Sequence, residues 1–159
     1  MPDYSFEVKS SEKGVYIFDC ARKKYVRLTP EEWVRQNFMA YLSIDKGYPL
    51  SRMAVEKRLG SAAALVRRAD IVVYDRWGNP DIVVECKAPS VPLTQETMDQ
   101  AVRYNGVLGA RIVCLTNGMK HIYAVLHPSG GGFAYLRELP DYEPENTGSS
   151  AESSGDFSR

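Results

Sequence analysis

Three charged side chains meet at one end of a predicted β-hairpin. Residues 70–75 and 81–87 are two runs rich in β-branched side chains, and they are separated by turn-forming residues. If the hairpin is symmetric about its turn, Asp70 lies opposite Glu85. Because side chains alternate along a strand, Asp70, Glu85 and Lys87 then share one face. The pattern therefore predicts two carboxylates and an ammonium at the end of an otherwise apolar hairpin.

Two carboxylates opposite each other in a sheet repel, so this arrangement needs a cation. Hard divalent cations such as Mg²⁺ bind one or two carboxylates together with waters and substrate phosphates. Lys87 is placed to orient a metal-bound water or to neutralise charge at a phosphate. The plainer interpretation is an exposed strand end with an ordinary salt bridge between Lys87 and either acid.

The same residues resemble a known signature, because Asp70 followed after a hairpin by Glu85-Cys86-Lys87 is similar to the PD-(D/E)xK nuclease motif. Over about residues 1–127, the chain resembles the N-terminal nuclease domain of type I restriction enzyme R subunits. Five segments carry this resemblance: TPEEWVRQ (29–36), RADIVVYD (68–75), VVECKAPSVPLT (83–94), QAVRYN (100–105) and CLTNG (114–118). Ala69 stands where the name of the motif has proline, at a position that varies widely in this superfamily.

The resemblance implies an α/β fold with a restriction-endonuclease-like core, in which helices flank a mixed β-sheet, and an N-terminal β-meander precedes it. It implies Mg²⁺ as the cofactor, with Mn²⁺ as a substitute, bound by Asp70, Glu85 and the Cys86 carbonyl. The Cys86 thiol itself is expected to face the core as a small buried hydrophobe.

An acid on the first helix is also implied. Thr29 is a predicted N-cap and Glu32 completes a capping box, so a helix is expected to begin here and to stop at Gly47. Related nucleases carry an acid on this helix that points at the metal site. Glu31 is the match, because it shares a face with the apolar residue Val34, and Glu32 is the reserve. The alternative is that both acids only complement the helix dipole.

Three further residues are candidates for contacts with nucleic acid. Gln100 and Tyr104 are four residues apart on the helix expected after Thr94, so they share a face. The resemblance implies that this face looks towards the carboxylates, where Gln100 would bind a catalytic water or a phosphate. Arg68 falls on the active side of the hairpin, as a phosphate ligand or as rim charge.

Composition bounds the rest of the prediction. The 159 residues are 44% hydrophobic and 25% charged, which is typical of one globular domain. We expect a nuclease domain over residues 1–139 and a disordered, acidic, Ser/Gly-rich tail over residues 140–159. The three cysteines lack metal-ligand spacing, and no signal peptide or transmembrane run is recognisable. These features favour the cytoplasm and no membrane partner.

The leading hypothesis is a Mg²⁺-dependent DNA endonuclease. The alternative is a non-cleaving DNA-binding or assembly module of a restriction or repair complex. The sequence has no GxxxxGK[ST] phosphate loop for the motor that a full R subunit needs. Motor or methylase subunits acting in trans are therefore expected partners beside DNA, and a homodimer stays open.

Overall fold

The computed structural model describes residues 3–59, 67–105, 108–128 and 131–144. In this part of the chain, nine strands follow one another: β1 (Val8–Ser11), β2 (Gly14–Asp19), β3 (Lys24–Arg27), β4 (Met53–Leu59), β5 (Arg67–Tyr74), β6 (Pro80–Cys86), β7 (Ile112–Thr116), β8 (His121–Leu126) and β9 (Phe133–Leu136). The helices are α1 (Pro30–Ala40), which continues into a π-helical turn over Tyr41–Asp45, a short 3₁₀ turn at Leu50–Arg52, and α2 (Gln95–Asn105).

The N-terminal strands form the expected meander, in the order β1-β2-β3. The aromatic and apolar residues over 4–8 predict the first strand there, whereas the strand begins at Val8, because Ser11 pairs with Gly14 and leaves a two-residue turn between them. A turn of this length sets the register of the hairpin. Val8 consequently pairs with Ile17, whereas the pattern of apolar residues had placed the strand over residues 4–8.

Helix α1 begins as predicted. The Thr29 hydroxyl accepts a hydrogen bond from the Glu32 backbone N–H at 3.0 Å, and Pro30 occupies the first helical position. The predicted reciprocal half of the capping box is wrong. The Glu32 carboxylate instead accepts hydrogen bonds from Arg22, Arg35 and Gln36, because the N-terminal sheet packs near this end of the helix.

The second sheet is mixed and has the strand order β4-β5-β6-β7-β8-β9. All of its neighbouring strands are antiparallel except β6 and β7, which are parallel and are connected through α2. Helix α1 packs on one face, where Phe38 and Leu42 belong to the same buried cluster as Ile71 and Val84. Met98 of α2 belongs to the cluster on the other face. The predicted α/β sandwich, with helices on a mixed sheet and an N-terminal meander, is confirmed.

The predicted register of the central hairpin is confirmed for its middle pairs. Ile71 pairs with Val84 and Val72 pairs with Val83, as symmetry about the turn requires. Beyond Val73 the register shifts, because the turn closes asymmetrically around Asp75, whose carboxylate accepts two backbone N–H groups of the turn. This irregularity lies at the turn, and towards Asp70 the predicted register continues as far as Ile71 and Val84.

The beginning of the predicted tail is docked on the domain. The Tyr48 hydroxyl donates to the Pro140 carbonyl at 2.8 Å, and the Tyr142 N–H donates to the Lys46 carbonyl at 2.7 Å. The rings of Tyr48 and Tyr142 meet edge to face, with centroids 5.5 Å apart. The docked chain therefore extends past the predicted boundary at residue 140, and residues 145–159 lie outside the described part. No helix among the described residues is long and apolar enough to cross a membrane.

Candidate active site

The Asp70 carboxylate is held from two sides. Its Oδ2 accepts a hydrogen bond from the Cys86 backbone N–H at 2.8 Å, so the side chain reaches the neighbouring strand β6. Its Oδ1 accepts a hydrogen bond from Arg35 Nη2 at 3.0 Å, which ties it to helix α1. These bonds place Asp70 beside the Glu85-Cys86-Lys87 segment and direct its carboxylate towards α1.

A local break in strand β4 lies next to Asp70. The described pairing of β4 with β5 skips Glu56 and Asp70. The backbone of Glu56 has a positive φ of 56°. A residue other than glycine in this region costs about 1–3 kcal/mol. The Glu56 carboxylate accepts a hydrogen bond from Arg22 at 3.2 Å, and this ion pair contributes to holding the strained backbone.

Glu85 and Lys87 open onto the side of the sheet that α2 covers. Together with Thr97, Gln100 and Ala101 of α2 they line a small cavity of about 30 Å³. Glu85 is largely buried there, and the Lys87 backbone N–H donates to the Thr116 carbonyl at 2.8 Å, which fixes the chain just after β6. The Gln100 side chain thus lies on the face that the sequence predicts.

Of the two acids at the start of α1, Glu31 is the one that lies towards Asp70 and Lys87. Burial raises the pKa of the Glu31 carboxyl, and the Asp70 carboxylate raises it further. The cations of Arg35 and Lys87 act in the opposite direction without cancelling the rise. Glu32 turns the other way and is buried between two arginines.

A buried ion-pair network reaches Asp70 from the N-terminal sheet, and the sequence analysis does not anticipate it. Arg22 contacts Asp19 at 2.6 Å and Glu32 at 3.0 Å, and Arg35 joins Glu32 to Asp70. The Gln36 amide donates to both Asp19 and Glu32. The run Arg22-Lys23-Lys24 before β3 predicts a solvated basic loop, and for Arg22 this prediction is wrong, because its guanidinium is drawn inward by these carboxylates.

Asp19 lies at the far end of the network, and its surroundings favour the charged form of its carboxyl group. Burial alone would raise the pKa of Asp19, but hydrogen bonds from Arg22 and Gln36 and the positive charge of Arg22 outweigh it, so the pKa is lowered. Its Oδ1 also accepts the backbone N–H groups of Ala21 and Arg22.

The donor set around Asp70 suits a hard cation. Asp70 and Glu85 supply carboxylate oxygens and Cys86 a carbonyl oxygen, which are the ligand types that Mg²⁺ and Mn²⁺ prefer. The Cys86 thiol is buried on the α1 side, and burial raises its pKa well above its ordinary range, so it is not a thiolate ligand. Among the described residues, no three His, Cys, Asp or Glu side chains form a ready metal cluster. A cation here would keep several waters, as Mg²⁺ usually does.

Only the backbone is described for two of the predicted contact residues. Arg68 belongs to β5 and pairs through its backbone with Arg58, and Tyr104 belongs to the last turn of α2. The side chains of both fall outside the described residues. His121, which the sequence suggests to be structural or exposed, is half-buried and shares a 2.8 Å hydrogen bond with the Thr116 hydroxyl.

The CLTNG segment has a supporting role that sequence reasoning missed. The Asn117 side chain donates to the Val91 carbonyl at 2.7 Å, and this bond holds the proline-stiffened loop that follows Lys87. The Thr116 hydroxyl accepts the Gly118 N–H, and its carbonyl accepts the Lys87 N–H. In the sequence, the Asn-Gly pair predicts only the end of a buried strand.

Comparisons with known proteins identify the family and support the fold. Residues 30–140 match the family model described as the type I restriction enzyme R protein N terminus. A fragment described as an HsdR subunit of a type I restriction enzyme from Vibrio vulnificus YJ016 is similar in structure, with 21% identity and a TM-score of 0.51 over 72% of this chain. This chain spans 24% of that fragment.

A second solved structure, described as a nuclease of the DUF820 group from Anabaena variabilis ATCC 29413, has 12% identity and a TM-score of 0.44. That likeness covers 92% of this chain and 85% of the other. The comparison with curated proteins gave no match.

Proposed function

Because the chain belongs to the family of type I restriction enzyme R protein N termini, we propose that it is a Mg²⁺-dependent DNA endonuclease of the cytoplasm. One observation carries this proposal: the hydrogen bond from the Cys86 N–H to Asp70 Oδ2 at 2.8 Å. It brings the first carboxylate of the motif to the Glu85-Cys86-Lys87 segment in the folded chain. The family match and the restriction-endonuclease-like fold support a nuclease-like domain.

The residues divide the work of phosphodiester hydrolysis. Asp70, Glu85 and the Cys86 carbonyl would hold the divalent cation, which would supply Lewis acidity and activate a water. Lys87 orients the attacking water and offsets negative charge at the scissile phosphate. Gln100, exposed on α2 beside Lys87, binds that water or a neighbouring phosphate.

Glu31 supports the site from the opposite side. Its carboxylate lies near both Asp70 and Lys87, so it can accept a hydrogen bond from a water on the cation. Arg68 and Tyr104 would extend the contact with DNA along the strand and the helix. The partners we propose beside DNA are motor or methylase subunits acting in trans.

Cleavage of plasmid and oligonucleotide DNA by purified protein tests the proposal. Mg²⁺ or Mn²⁺ should support cleavage, whereas Ca²⁺ should support binding without turnover, because its looser coordination does not hold the attacking water tightly. Lys87→Ala should abolish cleavage and leave metal and DNA binding in place, since Lys87 is not a ligand. Asp70→Ala should lose metal binding and cleavage together.

Lys13→Ala is the matched control, because Lys13 is an exposed lysine in the turn between β1 and β2. Cleavage that persists equally in the Lys87 and Asp70 variants comes from a contaminant and refutes the catalytic assignment. DNA binding without cleavage in Mn²⁺ would favour the non-cleaving module.

A further inference from the structure

Arg35 is a buried arginine whose two terminal nitrogens bind different carboxylates. Only 6% of its side chain is exposed. Nη1 contacts Glu32 and Nη2 contacts Asp70 at 3.0 Å, while Glu31 lies 3.8 Å away. Arginine is rarely this buried unless it is paired, and here the partners lie on two elements, Glu31 and Glu32 at the start of α1 and Asp70 on β5. Because it is buried, Arg35 has no direct access to a DNA phosphate.

The orientation of Asp70 depends on this contact. One carboxylate oxygen accepts from Arg35 and the other accepts from the Cys86 N–H, so the plane of the carboxylate is fixed from opposite ends. A hydrogen bond to each oxygen leaves lone pairs on both for a cation. Carboxylates that bind metals are commonly held by a partner in this way.

The buried position of Arg35 carries an energetic cost. Its Nε is buried and has no hydrogen-bond partner among the described residues. Unpaired buried donors are uncommon in native structures, and each one calls for an explanation. The two terminal nitrogens of the guanidinium contact Glu32 and Asp70, whereas the third nitrogen has no partner among the described residues. This geometry indicates that the contact with Asp70 is the function of the residue.

The contact of Arg35 Nη1 with Glu32 leads away from Asp70. Glu32 also accepts a hydrogen bond from Arg22 at 3.0 Å, and Arg22 contacts Asp19 at the end of β2. A continuous chain of ion pairs therefore connects the N-terminal sheet to Asp70. The anchor of Arg35 is a separate sheet, so Arg35 cannot swing towards solvent without breaking this chain.

We propose that Arg35 is a positioning residue that orients Asp70 for cation binding, with the N-terminal sheet as its anchor through Glu32 and Arg22. The assignment rests on the proposed role of Asp70 as a metal ligand. Lysine cannot replace it, because a single ammonium lacks the planar fork that reaches two carboxylates.

Direct titration with Mn²⁺, monitored by calorimetry or electron paramagnetic resonance, tests the assignment without relying on activity. Arg35→Met keeps the length of the side chain and removes the fork, and should weaken Mn²⁺ binding about 10- to 100-fold, as loss of such a supporting partner does. Arg35→Lys should restore little of the affinity. The control Arg103→Met removes an exposed arginine of α2 and should leave the affinity unchanged.

Unchanged or tighter Mn²⁺ binding by folded Arg35→Met overturns the assignment, because a guanidinium that only competed with the cation would give that result. If Arg35→Met does not fold, Arg35→Lys decides, and wild-type affinity in that variant also overturns it. Asp70→Ala separates the two proposals. Equal binding by wild type and Asp70→Ala refutes the metal site itself, whereas loss in Asp70→Ala with full binding in the Arg35 variants refutes only the role of Arg35.

Discussion

Replacing Arg22 by methionine should strongly destabilise the domain at neutral pH. Arg22 contacts Asp19, Glu32 and Glu56, and the Asp19 side chain is fully buried while that of Glu32 is 8% exposed. Removing one partner of a buried ion pair leaves an uncompensated charge and typically costs about 3–5 kcal/mol. Methionine keeps the apolar part of the side chain, so the loss reports mainly on the charge.

The lower end of that range is the expected value. Arg22 is itself 18% exposed, and Asp19 keeps hydrogen bonds from two backbone N–H groups and from Gln36. Glu32 keeps Arg35 as a partner. We therefore expect a loss of about 3 kcal/mol in the free energy of unfolding, which lowers Tm by roughly 6–12 °C for a chain of this size.

The pH dependence gives the prediction a second, independent signature. Arg22 lowers the pKa of Asp19 in the folded protein, so the stability from this pair is present above the ordinary carboxylate pKa of 3.8. It is lost as the pH falls through the lowered pKa, where Asp19 becomes protonated. The difference in stability between wild type and Arg22→Met should therefore be large at pH 7 and should shrink towards pH 3.

Urea unfolding at both pH values, in the presence of a metal chelator, measures these differences. Arg27→Met is the matched control, because Arg27 is an exposed arginine of β3, and it should change stability by less than about 0.5 kcal/mol. A loss below about 1 kcal/mol for Arg22→Met, or an equal loss at pH 7 and pH 3, would refute the reasoning from the buried network.

Tyr142→Ala should cost about 1–3 kcal/mol, because it removes the edge-to-face contact with Tyr48 and a hydrogen bond from Arg52. Thermal melts measure this loss. In the same melts, truncation of residues 145–159 should leave Tm unchanged, and a clear drop would show that this segment docks. Glu31→Gln should stabilise the metal-free protein slightly at pH 7, by less than about 0.5 kcal/mol, because the half-exposed carboxylate is screened by solvent. The raised pKa of Glu31 means that its contribution to stability is present at low pH and lost as the pH rises, so the gain should disappear in acid, and a lower Tm at pH 7 would contradict it.

Local patterns in the sequence determined the centre of the site. Strand side chains alternate with a period of two, so two β-branched runs and a turn are enough to predict that Asp70 comes close to the Glu85-Cys86-Lys87 segment. The paired residues Ile71 and Val84 confirm the predicted register. The start of α1 was equally predictable, because the cap at Thr29 depends only on residues within one turn.

Tertiary structure alone decided how Asp70 is supported. Arg22 and Arg35 look like solvated charges in the sequence, and both bind carboxylates more than thirty residues away: Glu56 for Arg22 and Asp70 for Arg35. The positive φ of Glu56 is likewise set by its surroundings rather than by its residue type. Ion pairs between distant segments depend on which surfaces pack together, and the packing of the N-terminal sheet against α1 leaves no periodic trace in the sequence. For that physical reason the motif of Asp70 and Glu85-Cys86-Lys87 can be recognised in the sequence, whereas the network that holds Asp70 appears only in the folded chain.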